Sequence, residues 1–240
     1  MDKRPLTFAT GSRACGKSTM MELLCRLAHD TSVLCCIDTS DIIRKHIQKQ
    51  TKIGISLSAH RDHMIAGKVI PAHDLIVEAV LLAAQQLWSE CRTHQVLVSG
   101  TPRHIEQSKR IKESGHPIRV FHIVQEKKDV ADGIKMRQLE TGSTRHDETS
   151  EAIENSWTEY EKIIIPALDP LNGHVLELKR SRPMRERLEQ AIGHMLLPDH
   201  VRAKMLRRLN TRDHPVSEEV DVMDGTEHCS HRHTRQLMTA

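Results

Sequence analysis

Aromatic side chains are nearly missing from this chain. Among 240 residues there are two Phe, two Trp and one Tyr, 2% of the sequence. Proteins that hold single-stranded nucleic acid by stacking its bases need more aromatic faces than that. The core must therefore be built from Leu, Ile, Val, Ala and Met. An excess of one charge sign is lacking too: 35 Lys and Arg against 32 Asp and Glu leave a formal +3, with 17 His counted as neutral. So small a surplus makes no field for a phosphate backbone, and no nucleic acid is expected as a partner. Long apolar runs are also missing. The most apolar stretch, 75–87, is broken by Glu78, Gln85 and Gln86, whereas a membrane span takes about 20 apolar residues. Met1-Asp2-Lys3-Arg4 runs straight into a strand-like segment, without the apolar core of a signal peptide. A cytoplasmic monomer with no membrane partner is expected. Six cysteines, at 15, 25, 35, 36, 91 and 229, show no framework spacing and read as reduced thiols, five of them in apolar contexts.

What is present is globular: 38% hydrophobic and 28% charged residues, enough apolar surface for a packed core. At about 150 residues per domain, the length suits one enlarged α/β domain. Apolar runs at 6–10, 33–37, 95–99, 118–124 and 174–178 read as buried strands. Between them the 3.6-residue period predicts helices over 17–29, 41–50, 57–66, 73–90, 104–113, 127–140, 148–165 and 183–197. Strands alternating with helices predict a five-stranded parallel sheet covered on both faces. After Pro198 the composition changes. Residues 198–240 hold no aromatic, seven Lys or Arg and seven Asp or Glu. They predict a C-terminal extension with one basic helix near 201–209 and disorder from about 211.

One motif carries chemistry. Gly11-Ser12-Arg13-Ala14-Cys15-Gly16-Lys17-Ser18-Thr19 fits G-x-x-x-x-G-K-[ST]. The two glycines permit a tight loop whose backbone N–H groups turn inward around a phosphate. The loop opens a helix, whose N-terminal potential favours an anion. Lys17 can reach the β- and γ-phosphates of a nucleotide, and the Ser18 or Thr19 hydroxyl can ligate Mg²⁺. The motif follows a strand and precedes an amphipathic helix, as it must. ATP with Mg²⁺ is the ligand this predicts.

Five further segments, in order, resemble the adenylate kinase, or nucleoside monophosphate kinase, family. They are 37–44 (Ile-Asp-Thr-Ser-Asp-Ile-Ile-Arg), 67–71 (Gly-Lys-Val-Ile-Pro), 99–107 (Ser-Gly-Thr-Pro-Arg-His-Ile-Glu-Gln), 145–148 (Arg-His-Asp-Glu) and Tyr160 on the following helix. The resemblance covers about residues 5–196. It implies one P-loop kinase domain over 1–197, with a helical acceptor-binding insert at about 39–72 and a short lid at about 137–148. It implies that Gly11, Gly16, Lys17, Ser18 and Thr19 hold the ATP phosphates, that Arg137 lies near the ATP adenine, and that Arg145 clamps the transferring phosphate. Arg44 and Arg103 would grip the acceptor monophosphate, since two guanidiniums each give forked hydrogen bonds. Gly100 lies in the same stretch, Thr39 and Gln107 would face the acceptor base, and Val69 and Ile70 would wall it. Gln107 suits adenine, because its amide offers a donor and an acceptor together. Asp147 would join the lid hinge. Read alone, Arg44 and Arg103 are ordinary helix-surface arginines, and Thr39 and Asp147 are ordinary helix caps.

The departures are as informative. The family aspartate that holds water on Mg²⁺ is Ser99 here, its aromatic neighbour is Thr101, and two arginine positions are Thr141 and Ser156. Charge neutralisation and positioning are nearly all that such enzymes contribute. Either Arg13, Lys135 or Arg61 substitutes, or turnover is slow, or nucleotide is bound without turnover. The expected activity is transfer of the ATP γ-phosphoryl to a nucleoside monophosphate, AMP first. A nucleotide-binding module with weak catalysis and a kinase of another small molecule are the alternatives. The 227–233 stretch, Glu-His-Cys-Ser-His-Arg-His, has metal-ligand residue types but reads as a solvated tail.

Overall fold

A computed structural model describes residues 3–28, 33–65, 68–91, 93–141 and 150–211. Strands β1 (Leu6–Gly11), β2 (Leu34–Asp38), β3 (Gln95–Ser99), β4 (Ile118–Val124) and β5 (Val175–Lys179) form one sheet in the order β2-β3-β1-β4-β5. Every neighbouring pair is parallel. β1 and β3 are buried at every residue, as expected of strands covered on both faces. Side chains along β4 alternate between two cores. Phe121 and Ile123 join Met20, Leu24, Leu27, Leu188 and Ile192 on the side of α1 (Lys17–Ala28) and α9 (Met184–His194). Ile118 and Val120 join Phe8, Val80, Trp88 and Ile111 on the side of α5 (His73–Glu90) and α6 (Ile105–Glu113).

The insert departs from the expected helix at 57–66. It contains α2 (Thr39–Gln48), α3 (Lys52–Ser58) and α4 (Arg61–Ile65). Thr51 starts α3 early because its hydroxyl accepts from the Gly54 N–H at 3.0 Å, a capping bond. The cap of α2 is Asp38 rather than Thr39: its carboxylate accepts from Ser40 N–H at 2.8 Å and Asp41 N–H at 3.3 Å. Ile43, Leu57 and Ile76 form a third small core, with Ile47, Ile53 and Ile70 against it, which anchors the insert to α5.

Beyond β4 come α7 (Lys127–Thr141) and α8 (Ser150–Glu159). α8 runs on through a π turn, Tyr160–Ile164, into a 3-10 turn, Pro166–Leu171. Ile165 N–H bonds Tyr160 C=O at 3.0 Å, which opens the helix by one residue ahead of a proline that cannot continue it. The basic helix after Pro198 is α10 (Asp199–Asn210), and it lies within the main core. Met205 and Leu209 are buried, and the Arg208 guanidinium donates to the C=O groups of Leu27 at 2.9 Å and Ala28 at 3.1 Å, capping the end of α1 with positive charge. Residues 212–240, with the 227–233 stretch, lie outside the described residues. Cys15 is buried and Cys25, Cys35, Cys36 and Cys91 are half-buried, and none of these five is in a disulfide. Among the described residues no helix is long and apolar enough to cross a membrane.

Candidate active site

The loop between β1 and α1 sits at the C-terminal edge of the sheet, where open α/β sheets bind ligands. Gly11 has φ 148° and Gly16 has φ 86°. A Cβ on Gly11 would stand 2.5 Å from the Ile123 carbonyl oxygen, so only glycine fits. Ala14 also has positive φ, 54°. Lys17 Nζ curls back over the loop, donating to Ser12 C=O at 2.6 Å and Gly11 C=O at 3.2 Å, and lies 3.2 Å from Cys15 Sγ. Ser18 and Thr19 are exposed in the first turn of α1. Two residues that follow strands clamp the loop from below. Gln125 Nε2 donates to Ser12 Oγ at 2.8 Å and Arg13 C=O at 2.7 Å, and the Arg180 guanidinium donates to Ala14 C=O. On α7, Gly133 lets the helix close on Ala14.

The 100–103 segment is tied to the root of this loop. Thr10 Oγ1 donates to Pro102 C=O at 2.8 Å, and Gly100 N–H to Ala9 C=O at 3.0 Å. Arg103 follows. Burial pushes its guanidinium below the usual arginine range, Arg13 pushes the same way, and Glu159, Asp38 and Cys15 oppose. Arg13, Glu159 and Asp38 are thus the charged side chains that chiefly act on Arg103. Val69 joins them, because its N–H donates to Glu159 Oε1 at 3.3 Å.

Other expected site residues have different partners. Thr39 is buried and its hydroxyl donates to Ser99 C=O at 2.8 Å, with Thr101 Oγ1 also at 2.8 Å. Gln107 is buried, and its Oε1 accepts from the Arg103 N–H at 2.7 Å. From the third position of α6 it reaches back to the residue before the N-cap His104, much as the Glu or Gln of a capping box reaches back to the N-cap. The Arg44 side chain is 66% exposed and pairs with Asp41, and it is not among the charges that act on Arg103. Ile70 packs on the small insert core rather than standing free. Arg137 is on α7. Arg145 and Asp147 lie outside the described residues.

Asp38, Gln125, Glu159 and Arg180 were not singled out from sequence. Three of them, Asp38, Gln125 and Arg180, end or directly follow a strand. That position at the ligand-binding edge is the signal that could have marked them. Glu159 carries no such local signal.

Below the loop, buried His122 has Nε2 2.9 Å from Tyr160 Oη and Nδ1 3.7 Å from Glu177 Oε1. Burial pushes the His122 pKa down, against Glu177, and pushes Tyr160 up to about 12. Both are neutral at pH 7. Their hydrogen bond ties the end of α8 to the central sheet.

Among the described residues no group of three or more His, Cys, Asp and Glu could hold a metal ion. The exposed Ser18 and Thr19 hydroxyls are of the right type to ligate Mg²⁺.

No family model matches this chain, and no curated protein matches it. Among solved structures it is similar to a gluconokinase from Sinorhizobium meliloti 1021, with a TM-score of 0.52 and 14% identity, over 89% of this chain and 100% of that one. The likeness is one of fold. Together with the all-parallel sheet and the loop between β1 and α1, it defines an α/β P-loop NTPase fold.

Proposed function

We propose that this protein is an ATP-dependent phosphotransferase whose acceptor is a nucleoside monophosphate, AMP before the others. The observation that carries the reading is two anion-binding features at one sheet edge: the 11–19 loop with Lys17, and Arg103 beside it, joined through the Thr10–Pro102 hydrogen bond. ATP phosphates in the loop and an acceptor phosphate on Arg103 would bring donor and acceptor together for in-line transfer. An acceptor phosphate oxygen forms the new bond to the γ-phosphorus. The bond to the β–γ bridging oxygen breaks, and its electron pair leaves on ADP. No covalent enzyme intermediate is needed. Mg²⁺ arrives with ATP and neutralises charge on its phosphates.

A second reading is an acceptor that is not a nucleotide. It is favoured by the engaged Thr39 hydroxyl and Gln107 carbonyl, by the outward pairing of Arg44, and by the fold likeness to a gluconokinase. A hydroxyl acceptor must lose a proton, and Asp38 or Glu159, the carboxylates acting on Arg103, would receive it. The test is ADP formation from Mg²⁺ and ATP with AMP, CMP, UMP, GMP, dAMP and gluconate in turn. AMP should give the highest kcat/KM. Turnover with gluconate alone would replace the first reading by the second. No turnover with any acceptor, alongside tight ATP binding, would leave a nucleotide-binding module and overturn both.

A further inference from the structure

Family resemblance puts arginines where this chain has Thr141 and Ser156, and a substitute for their positive charge is one of the outcomes this leaves open. We infer that Arg13, the third residue of the phosphate loop, is a catalytic residue that grips the phosphoryl group in flight together with Lys17 and Arg103. The inference rests on the phosphotransfer reading above.

The backbone of Arg13 is held on both sides. Its own C=O accepts from Gln125 at 2.7 Å, the preceding Ser12 Oγ from the same amide at 2.8 Å, and the following Ala14 C=O from Arg180. A side chain on so fixed a loop costs little to orient. Its partner is fixed as well, because the Thr10–Pro102 bond of 2.8 Å and the Gly100–Ala9 bond of 3.0 Å anchor the segment that ends at Arg103. Burial is what chiefly lowers the Arg103 guanidinium, Arg13 adds to it, and Glu159, Asp38 and Cys15 oppose. Like charges gathered beside a phosphate loop are relieved by an anion. The other basic candidates do not meet this geometry. Lys135 is exposed on α7 and Arg61 is exposed at the start of α4, and neither acts on Arg103.

In the transfer, the acceptor oxygen bonds the γ-phosphorus while the β–γ bridging bond breaks and its pair leaves on ADP. For a phosphate acceptor no protein group need take a proton. The three non-bridging oxygens carry the charge throughout. A guanidinium from the loop side and one from the acceptor side would bond them with little rearrangement.

The test uses the full chain with Arg13→Met and Arg13→Lys. Arg13→Met should lower kcat for ADP formation from ATP and AMP by about 100- to 1000-fold. Arg13→Lys should restore only part, having the charge without the fork. Calorimetry should find ADP affinity within about threefold of the parent, and the melting temperature should hold. ATP affinity should fall about tenfold more than ADP affinity, because only ATP carries the γ-phosphate. Unchanged kcat, or equal losses of ATP and ADP affinity, would overturn the role. If the parent protein transfers to no acceptor, the phosphotransfer reading fails. The ATP-to-ADP affinity ratio then still decides whether Arg13 reads the γ-phosphate.

Discussion

Gly11→Ala and Gly16→Ala make a paired test of what shapes the phosphate loop. Both glycines have positive φ, 148° and 86°. A non-glycine residue held in such a region costs of order 1–3 kcal/mol. The two sites differ in what a new methyl meets. At Gly16 nothing lies within 4 Å of it, whereas at Gly11 it stands 2.5 Å from the Ile123 carbonyl oxygen. That oxygen is backbone, and Ile123 is fully buried in β4 between β1 and β5, so the loop must move instead. Overpacking of this kind adds about 1–3 kcal/mol. A lower unfolded-state entropy returns roughly 0.4–1 kcal/mol in both variants. Gly11→Ala should therefore lose about 1–5.5 kcal/mol and Gly16→Ala at most about 2.5 kcal/mol, with Gly11→Ala the worse by the overpacking share. The assay is urea unfolding with the slope m held common, followed by ATP titration of each variant. Gly11→Ala should also weaken ATP binding, because the displaced loop no longer aims its N–H groups together. Equal destabilisation by the two substitutions would refute the contact argument. Full ATP affinity in Gly11→Ala would refute the claim that this close approach shapes the site.

Lys17→Ala should abolish ADP formation with little change in melting temperature, because among the described residues the ammonium bonds to its own loop; retained turnover, or an unfolded circular dichroism spectrum, would contradict this. Leu209→Ala should cost about 2–5 kcal/mol for a buried leucine, since Leu209 packs in the main core, while ending the chain after Thr211 should shift the melting temperature by less than about 5 °C, roughly the effect of 1–2 kcal/mol at this size. The reverse order in a melting series would show that the tail, not α10, supports the fold. His122 has a folded pKa below its unfolded value, so its share of stability is complete above about pH 6.5 and is lost as pH falls through the folded value. Melting temperatures between pH 7 and 5 should thus fall less steeply in His122→Gln than in the parent, with His46, His73 and His194, also lowered by burial, giving both a common slope; identical slopes would rule out His122 as a contributor.

Local sequence was enough for most of the elements and for the loop. β3 and β4 coincide with the apolar runs 95–99 and 118–124, and α5 with the stripe over 73–90, because a buried strand or a one-faced helix leaves its period in the sequence whatever it packs on. The phosphate loop was legible for a similar reason: Gly11, Gly16 and Lys17 act within nine consecutive residues. The early start of α3 was missed, since it depends on a single Thr51 side-chain bond, and the π turn at Tyr160 weighs one proline against the pull of the buried Tyr160 and Ile164.

What the sequence could not determine is which partner each polar side chain takes at the sheet edge. Thr39, Gln107, Arg44 and Arg103 all looked like ligand residues from their motifs. The tertiary structure separates them. Parallel pairing sets Asp38 opposite Ser99, and this carries the Thr39 hydroxyl onto Ser99 and Thr101, about 60 residues away in the chain. The sheet order sets β1 beside both β3 and β4, and this ties the segment ending at Arg103 to the root of the loop and brings Gln125 under it. Sequence alone determined that there is a phosphate loop on a parallel α/β sheet. Only the crossover order of the strands decided which distant charges face it, because a hydrogen bond or an ion pair depends on distance in space and leaves no periodic trace along the chain.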